Sequence, residues 1–139
     1  MFKKILLPLD LTDRHAAALR LAADLAQQGG GEVTLLHVVE VIPGLSREEE
    51  APFYTRLERK ATAHLERWAG ELSSAQVTVH GEVVFGERVR EVVNYVSRAA
   101  VDLIVLTSPP FEPDRPIAGL GSLSYRIGLV CKCPVLLVK

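Results

Sequence analysis

Five short apolar runs alternate with segments of helical periodicity, and this alternation constrains the fold more than any other feature. The runs are rich in Val, Ile and Leu, as is typical of strands buried on both faces. Strands joined by helices pair in parallel through right-handed crossovers, so the sequence predicts a single-domain, three-layer α/β sandwich over residues 1–139. The predicted strands are Lys4–Leu9, Glu32–Val39, Gln76–Phe85, Asp102–Leu106 and Pro134–Val138.

Capping and turn residues bound the predicted helices. Thr12 is an N-cap residue for the first helix, which ends where three glycines permit a left-handed C-cap. Trp68, on the second helix, is expected to lie in the core. The helices are predicted from behind Thr12 to Gly29–Gly31, from a loop containing Pro52 to about Ser73, from Glu87 to Ala99 and from about Ser122 to Cys131.

Composition and charge exclude several classes of protein. The chain has 16 basic and 17 acidic residues and a net charge of −1. A broad nucleic-acid surface needs excess positive charge to displace counterions, so no nucleic-acid partner is expected. The N-terminal apolar run is interrupted by Pro8 and Asp10, and no stretch approaches the length of a membrane span. These features predict a cytoplasmic protein without a membrane partner.

The cysteines and histidines suggest neither a metal site nor a catalytic site. Cys131 and Cys133 would point to opposite faces of a strand, which disfavours a mutual disulfide, and no further ligand lies close in sequence. They are therefore predicted to be reduced thiols. Of the four dispersed histidines, only His37 is expected to face a crevice. No nucleophile is placed beside it, so no catalytic residue is predicted.

Seven segments spread along the chain carry a family resemblance: Lys4–Asp10, Ala18–Ala26, Leu35–Val38, Gly86, Asp102–Leu106, Gly121–Ser122 and Cys133–Val138. Taken together, they resemble the universal stress protein family over essentially the whole chain. The resemblance implies the strand order 3-2-1-4-5, a homodimer joined through the C-terminal strand and a role in stress survival or signalling. A further protein partner, which the sequence does not name, is also open.

The family's ATP-binding members resemble one another in a glycine pattern after the fourth strand: Gly, two residues, Gly, nine residues, Gly, then Ser or Thr. Gly121–Ser122 matches the end of this pattern, but Ser108 and Phe111 stand at its first two glycine positions. Glu112 and Asp114 add negative charge where phosphates would lie. Prolines also remove N–H donors from the loop, at positions 109, 110, 113 and 116.

The resemblance also implies which residues would contact a nucleotide. Asp10 and Val38 would contact the adenosine end, and Gly121, Ser122 and Ser124 the phosphate, with Gly119 retained nearby. Parallel sheets independently place ligands beyond the strand ends where the chain order reverses, here strands one and four. Each of these residues could instead have a purely structural role. Asp10 could form a turn, Val38 could lie in the core, Ser122 could cap the helix, and the two glycines could give the loop backbone freedom.

These observations favour a non-catalytic, stress-response homodimer whose nucleotide site binds ATP weakly or not at all. No cofactor is expected. If a nucleotide does bind, the candidates are ATP and AMP. Two alternatives stay open: a sensor that binds AMP or ATP in the crevice and at the N-terminus of the last helix, and a slow ATPase or phosphoryl-transfer enzyme. The incomplete glycine pattern favours the first hypothesis over both alternatives.

Overall fold

The computed structural model describes residues 1–74, 76–109, 113–114 and 122–139, which form a parallel sheet of five strands. The sheet has the order β3-β2-β1-β4-β5, so the predicted order is confirmed. Because β1 and β4 are central and covered on both faces, their sequences are continuously apolar rather than alternating. The strands are β1 Lys4–Pro8, β2 Glu32–Glu40, β3 Thr78–Gly86, β4 Leu103–Thr107 and β5 Val135–Val138.

Helices cover both faces of the sheet and form the predicted three layers. Neighbouring strand residues point to opposite faces, so Leu7 packs with Trp68 in one apolar cluster and Leu6 packs with Ile127 in another. The first cluster lies under α1 and α2, and the second under α3 and α4. Trp68 is 8% exposed, which confirms its predicted core position. The helices are α1 Ala16–Gly29, α2 Ala51–Leu72, α3 Arg88–Arg98 and α4 Leu123–Val130.

Two predicted helix starts were wrong. Thr12 does not cap α1; it precedes a short 3₁₀ turn over Asp13–His15, and its side chain donates to the Asp10 carboxylate instead. Pro52 does not lie in a loop but in the first turn of α2, where its missing N–H would have had no helical partner.

The cysteines occupy a turn rather than a strand. Cys131 follows α4 and Cys133 precedes β5, and both half-buried side chains pack against the same apolar cluster. The predicted placement on opposite faces was therefore wrong, although both thiols are free. Burial raises the pKa of both thiols, so they are less reactive than an exposed cysteine.

Among the described residues, no helix is both long and apolar enough to cross a membrane.

Candidate functional site

A cleft of about 220 Å³ lies beyond the carboxyl ends of β1 and β4, where the direction of strand addition reverses. Its lining comes from the ends of three strands and the first turns of two helices. The cleft thus brings together four of the nucleotide-site residues predicted from the sequence, the histidine predicted to face it, and two further residues. These are, in the same order, Asp10, Val38, Ser122 and Ser124, then His37, then His15 and Thr107.

Asp10 lies just after β1, and protein groups engage both oxygens of its carboxylate. Oδ1 accepts hydrogen bonds from the Thr12 N–H at 3.0 Å and the Thr12 hydroxyl at 2.5 Å. Oδ2 lies 3.1 Å from Nη2 of Arg14. Partial burial alone would raise the pKa of Asp10, but the Thr12 hydrogen bonds and the nearby His15 outweigh it and hold that pKa well below its usual range. The carboxylate is therefore ionised and also has the turn role considered from the sequence.

His15 also lines the cleft, so the expectation that His37 is the only histidine to face it was wrong. The residue is 2% exposed, and its side chain joins the end of β1 to the end of β4. Nε2 lies 2.8 Å from Oδ1 of Asp10, and Nδ1 lies 2.7 Å from the Thr107 hydroxyl oxygen. Burial lowers the pKa of His15, although Asp10 opposes this shift, so the ring is neutral at pH 7. The signal was the Asp-x-Thr sequence after a strand, because such a turn folds the next residues back over the strand ends.

His37 also lines the cleft, as its position near the end of β2 predicted. Its Nδ1 lies 3.0 Å from the Leu9 carbonyl oxygen, which can only accept, so Nδ1 carries the proton. Burial lowers the pKa of His37, which keeps the ring neutral and leaves Nε2 as an acceptor at pH 7. The cleft therefore holds a neutral imidazole acceptor beside the ionised carboxylate.

The helix end of the cleft is formed by the first residues of α4. The Ser122 hydroxyl accepts a hydrogen bond from the Tyr125 N–H at 3.2 Å, which confirms the predicted N-cap. Ser124 is buried, and its hydroxyl donates to the Thr107 carbonyl at 3.0 Å. Both hydroxyls thus help to hold the helix start against β4. Gly119, Gly121 and the neighbouring Phe111 and Glu112 lie outside the described residues.

Two half-exposed arginines supply positive charge at the cleft. Arg14 lies beside Asp10, and Arg88, at the start of α3, pairs with Glu40 through an Nε–Oε1 distance of 2.7 Å. Each guanidinium keeps further N–H donors that an anion could use. Within the ranges that the structure describes, no group of three or more His, Cys, Asp or Glu residues could hold a metal ion.

Asp10, His15 and Thr107 form a continuous carboxylate–imidazole–hydroxyl chain. The same three groups occur in nucleophilic triads, but a general acid must also reach the leaving group of the substrate. In this protein His15 is 2% exposed, so little of its surface can reach a ligand, and its two hydrogen bonds hold the ends of β1 and β4 together.

Solved structures with the same fold cover nearly the whole chain. The structure of the hypothetical protein MJ0577 has a TM-score of 0.84 and 29% identity, and covers 100% of this chain and 96% of that one. A universal stress protein from Archaeoglobus fulgidus in complex with dAMP has a TM-score of 0.72 and 18% identity, over 99% and 98% of the two chains. A universal stress protein in complex with cAMP has a TM-score of 0.71 and 20% identity, over 99% and 96%.

Sequence comparisons give the same result. Universal stress protein MJ0531 of Methanocaldococcus jannaschii is 30% identical over 100% of this chain and 83% of its own length. Universal stress protein YxiE of Bacillus subtilis is 29% identical over 100% of both chains. The model of the universal stress protein family matches residues 1–139. The chain therefore belongs to the universal stress protein family.

Proposed function

We propose that this protein is a cytoplasmic, homodimeric stress-response protein that regulates rather than catalyses, and that its cleft binds a nucleoside monophosphate more readily than ATP. The observation that carries this proposal is the cleft between the ends of β1 and β4, which combines acceptor groups at one end with a helix N-terminus at the other. Sugar hydroxyls and amines need acceptors, and a phosphate needs N–H donors.

The charges around the cleft support a ligand with one phosphate group. The cleft measures about 220 Å³, so it can enclose only part of a nucleotide. Arg14 and Arg88 and the first turn of α4 could together neutralise one phosphate group. Two universal stress proteins with this fold have been solved in complex with monophosphates, one with dAMP and the other with cAMP.

The loop sequence before α4 argues against tight ATP binding. Four prolines, at positions 109, 110, 113 and 116, each remove an N–H donor whatever the loop conformation, since proline has none. Phe111 stands where the ATP-binding pattern has a glycine, and Glu112 and Asp114 would repel the β- and γ-phosphates. The first turn of α4 and the two arginines line the cleft, and they could contact an α-phosphate.

The exposed edge of the sheet supports a homodimer. β5 is an edge strand whose residues are only half-buried or exposed, and Leu137 is 44% exposed. Leu129 and Val130 of the preceding helix are 68% and 52% exposed. An apolar edge strand is a template for pairing with another chain, and a second copy paired symmetrically would cover it. The two free thiols fit a reducing compartment such as the cytoplasm.

Calorimetric titration with AMP, cAMP and ATP tests the nucleotide preference. We expect AMP to bind at least about tenfold more tightly than ATP, which corresponds to about 1.4 kcal/mol. Arg88→Ala should weaken AMP binding several-fold, because Arg88 lines the cleft. The matched control is Arg90→Ala, which removes an exposed arginine from the same helix outside the cleft lining and should leave the affinity unchanged.

Two results would contradict the proposal. The first is ATP binding as tight as AMP binding, since the loop would then supply phosphate contacts that its sequence lacks. The second is steady ATP hydrolysis by the purified protein that Arg88→Ala abolishes and Arg90→Ala does not, because the cleft would then be catalytic.

A further inference from the structure

His15 is buried at the base of the cleft and contacts two of its lining residues. In the sheet, β1 pairs with β4 at Ile5↔Leu103 and Leu6↔Ile104. Asp10 and Thr107 lie further toward the carboxyl ends of these strands. Beyond these pairs, His15 connects the ends of the two strands through hydrogen bonds of 2.8 Å to Asp10 and 2.7 Å to Thr107. A change in the protonation of the His15 ring therefore affects two residues that line the cleft.

The partners of His15 fix which hydrogen atoms it can carry. An ionised carboxylate only accepts, so the Nε2 atom that faces Asp10 must donate. The Asp10 N–H, 3.3 Å from the same nitrogen, is a longer contact that this arrangement leaves unused. In the neutral ring Nδ1 then has no hydrogen, and it accepts from the hydroxyl of Thr107. The Thr107 oxygen can offer the cleft only its lone pairs in this state.

Protonation of His15 reverses this hydrogen bond. A charged ring donates from both nitrogens, so Nδ1 would donate to the Thr107 oxygen and free its hydroxyl hydrogen. Thr107 is half-buried and lines the cleft, and its carbonyl accepts from Ser124 at the start of α4. The freed hydroxyl would therefore become a donor close to the place where the proposed function puts the phosphate.

We propose that His15 is a positioning residue whose protonation converts the Thr107 hydroxyl from an acceptor into a donor for an anionic ligand in the cleft. This inference rests on the proposed function, because it assumes a phosphate-bearing ligand. An anion in the cleft stabilises the charged ring, so occupancy raises the pKa of His15. The gain in affinity is then complete below the pKa of the free protein and is lost as the pH rises through the pKa of the complex.

Other charged groups share the surroundings of His15, and the test must separate them from it. His37 is the other histidine of the cleft and is therefore the control for any titration between pH 5 and 8. His15 also borders a second cavity between α1 and α2. The charged or titratable residues that line these two cavities with it are Asp10, Arg14, His37 and Arg88, and Asp13, Arg20 and Glu71.

The test is the dissociation constant of cAMP between pH 5.5 and 8, because a phosphodiester does not change its own charge in this range. We expect the affinity of the wild-type protein to rise by roughly tenfold as the pH falls. His15→Gln and Thr107→Val should remove this dependence, whereas Thr107→Ser, which keeps a hydroxyl, should retain it. His37→Gln should also retain the slope, whatever its absolute affinity.

Each remaining outcome decides one of the two claims. Binding of cAMP without pH dependence, or a slope that survives in Thr107→Val, overturns the role of His15 and leaves the proposed function standing. Failure of AMP and cAMP to bind at any pH overturns the proposed function. The role of His15 is then decided by NMR titration of its ring with inorganic sulfate as the anion: a raised pKa in wild type and a smaller rise in Thr107→Val support it, and an unchanged pKa refutes it.

Discussion

Asp10 shows how one residue can form a turn and a binding site at the same time. Its Oδ1 atom holds Thr12 and His15, and its Oδ2 atom faces Arg14. A ligand hydroxyl that approaches Oδ2 must share it with the half-exposed guanidinium of Arg14. The carboxylate is therefore fixed in direction before any ligand arrives, which lowers the entropic cost of binding.

The network around Asp10 makes a prediction about acid stability. The folded-state pKa of Asp10 lies below its usual range, so its contribution is present above the unfolded pKa of about 4 and is lost as the pH falls below that value. Asp10→Asn should lower the free energy of unfolding at pH 7 by about 1 kcal/mol, after allowance for solvent screening of a side chain that is 38% exposed. Urea unfolding from pH 2.5 to 7 measures both effects.

The control for this experiment is Asp13→Asn, which neutralises an exposed carboxylate in the same segment. Asp10→Asn should flatten the loss of stability below pH 4, whereas Asp13→Asn should leave most of that loss in place. Equal behaviour of the two variants would show that the Asp10 network contributes nothing specific.

At the scale of elements, the two edge strands of the sheet differ in polarity. β3 carries His80 and Glu82, which are exposed and polar and so discourage pairing with another strand. β5 carries apolar residues at every position and follows a helix with two exposed aliphatic side chains. This asymmetry supports the proposed dimer, in which the β5 edge and not the β3 edge is covered.

This asymmetry predicts a dimer that a single charge on β5 disrupts. Leu137→Arg should weaken dimerisation by roughly tenfold or more, because the guanidinium would be desolvated at the apolar centre of the interface. Ile42→Arg is the matched control, since Ile42 is 46% exposed and follows β2, which two strands separate from β5. Sedimentation velocity at micromolar concentration measures both, and a wild-type protein that sediments as a monomer would contradict the dimer. Removal of residues 135–139 should likewise give monomer or aggregate.

At the scale of the whole molecule, apolar patterning was enough to predict the layers. Continuous apolar runs are typical of strands covered on both faces, which predicted helices on each side of the sheet and holds for β1 and β4. β5 is the exception, since it is an apolar edge strand. The strand order needed more, and it came from the resemblance to a family. The helix boundaries were harder to predict, because one residue type can occupy two positions. Proline can lie in a loop or in the first turn of a helix, and the sequence around Pro52 does not decide between them.

The candidate site was predicted less completely than the fold. Asp10, Val38, Ser122 and Ser124 line the cleft as the resemblance implied, while Gly119 and Gly121 lie outside the described residues. His15 was missed because its place depends on how the turn after β1 folds, and helical periodicity alone put it on the first helix. The cysteine geometry was wrong for a related reason, since a turn does not alternate as a strand does.

The most direct measurement of the central claim is a map of backbone amide shifts in ¹⁵N-labelled protein titrated with AMP. If the cleft is the binding site, the largest shifts belong to Asp10, Val38, Leu123 and Ser124, with smaller ones at His15 and Thr107. The same protein titrated with ATP should show the same residues shifting at higher ligand concentration. Shifts confined to the cavity beside Trp68 and Leu72, or no saturable shifts with AMP at all, would contradict the account.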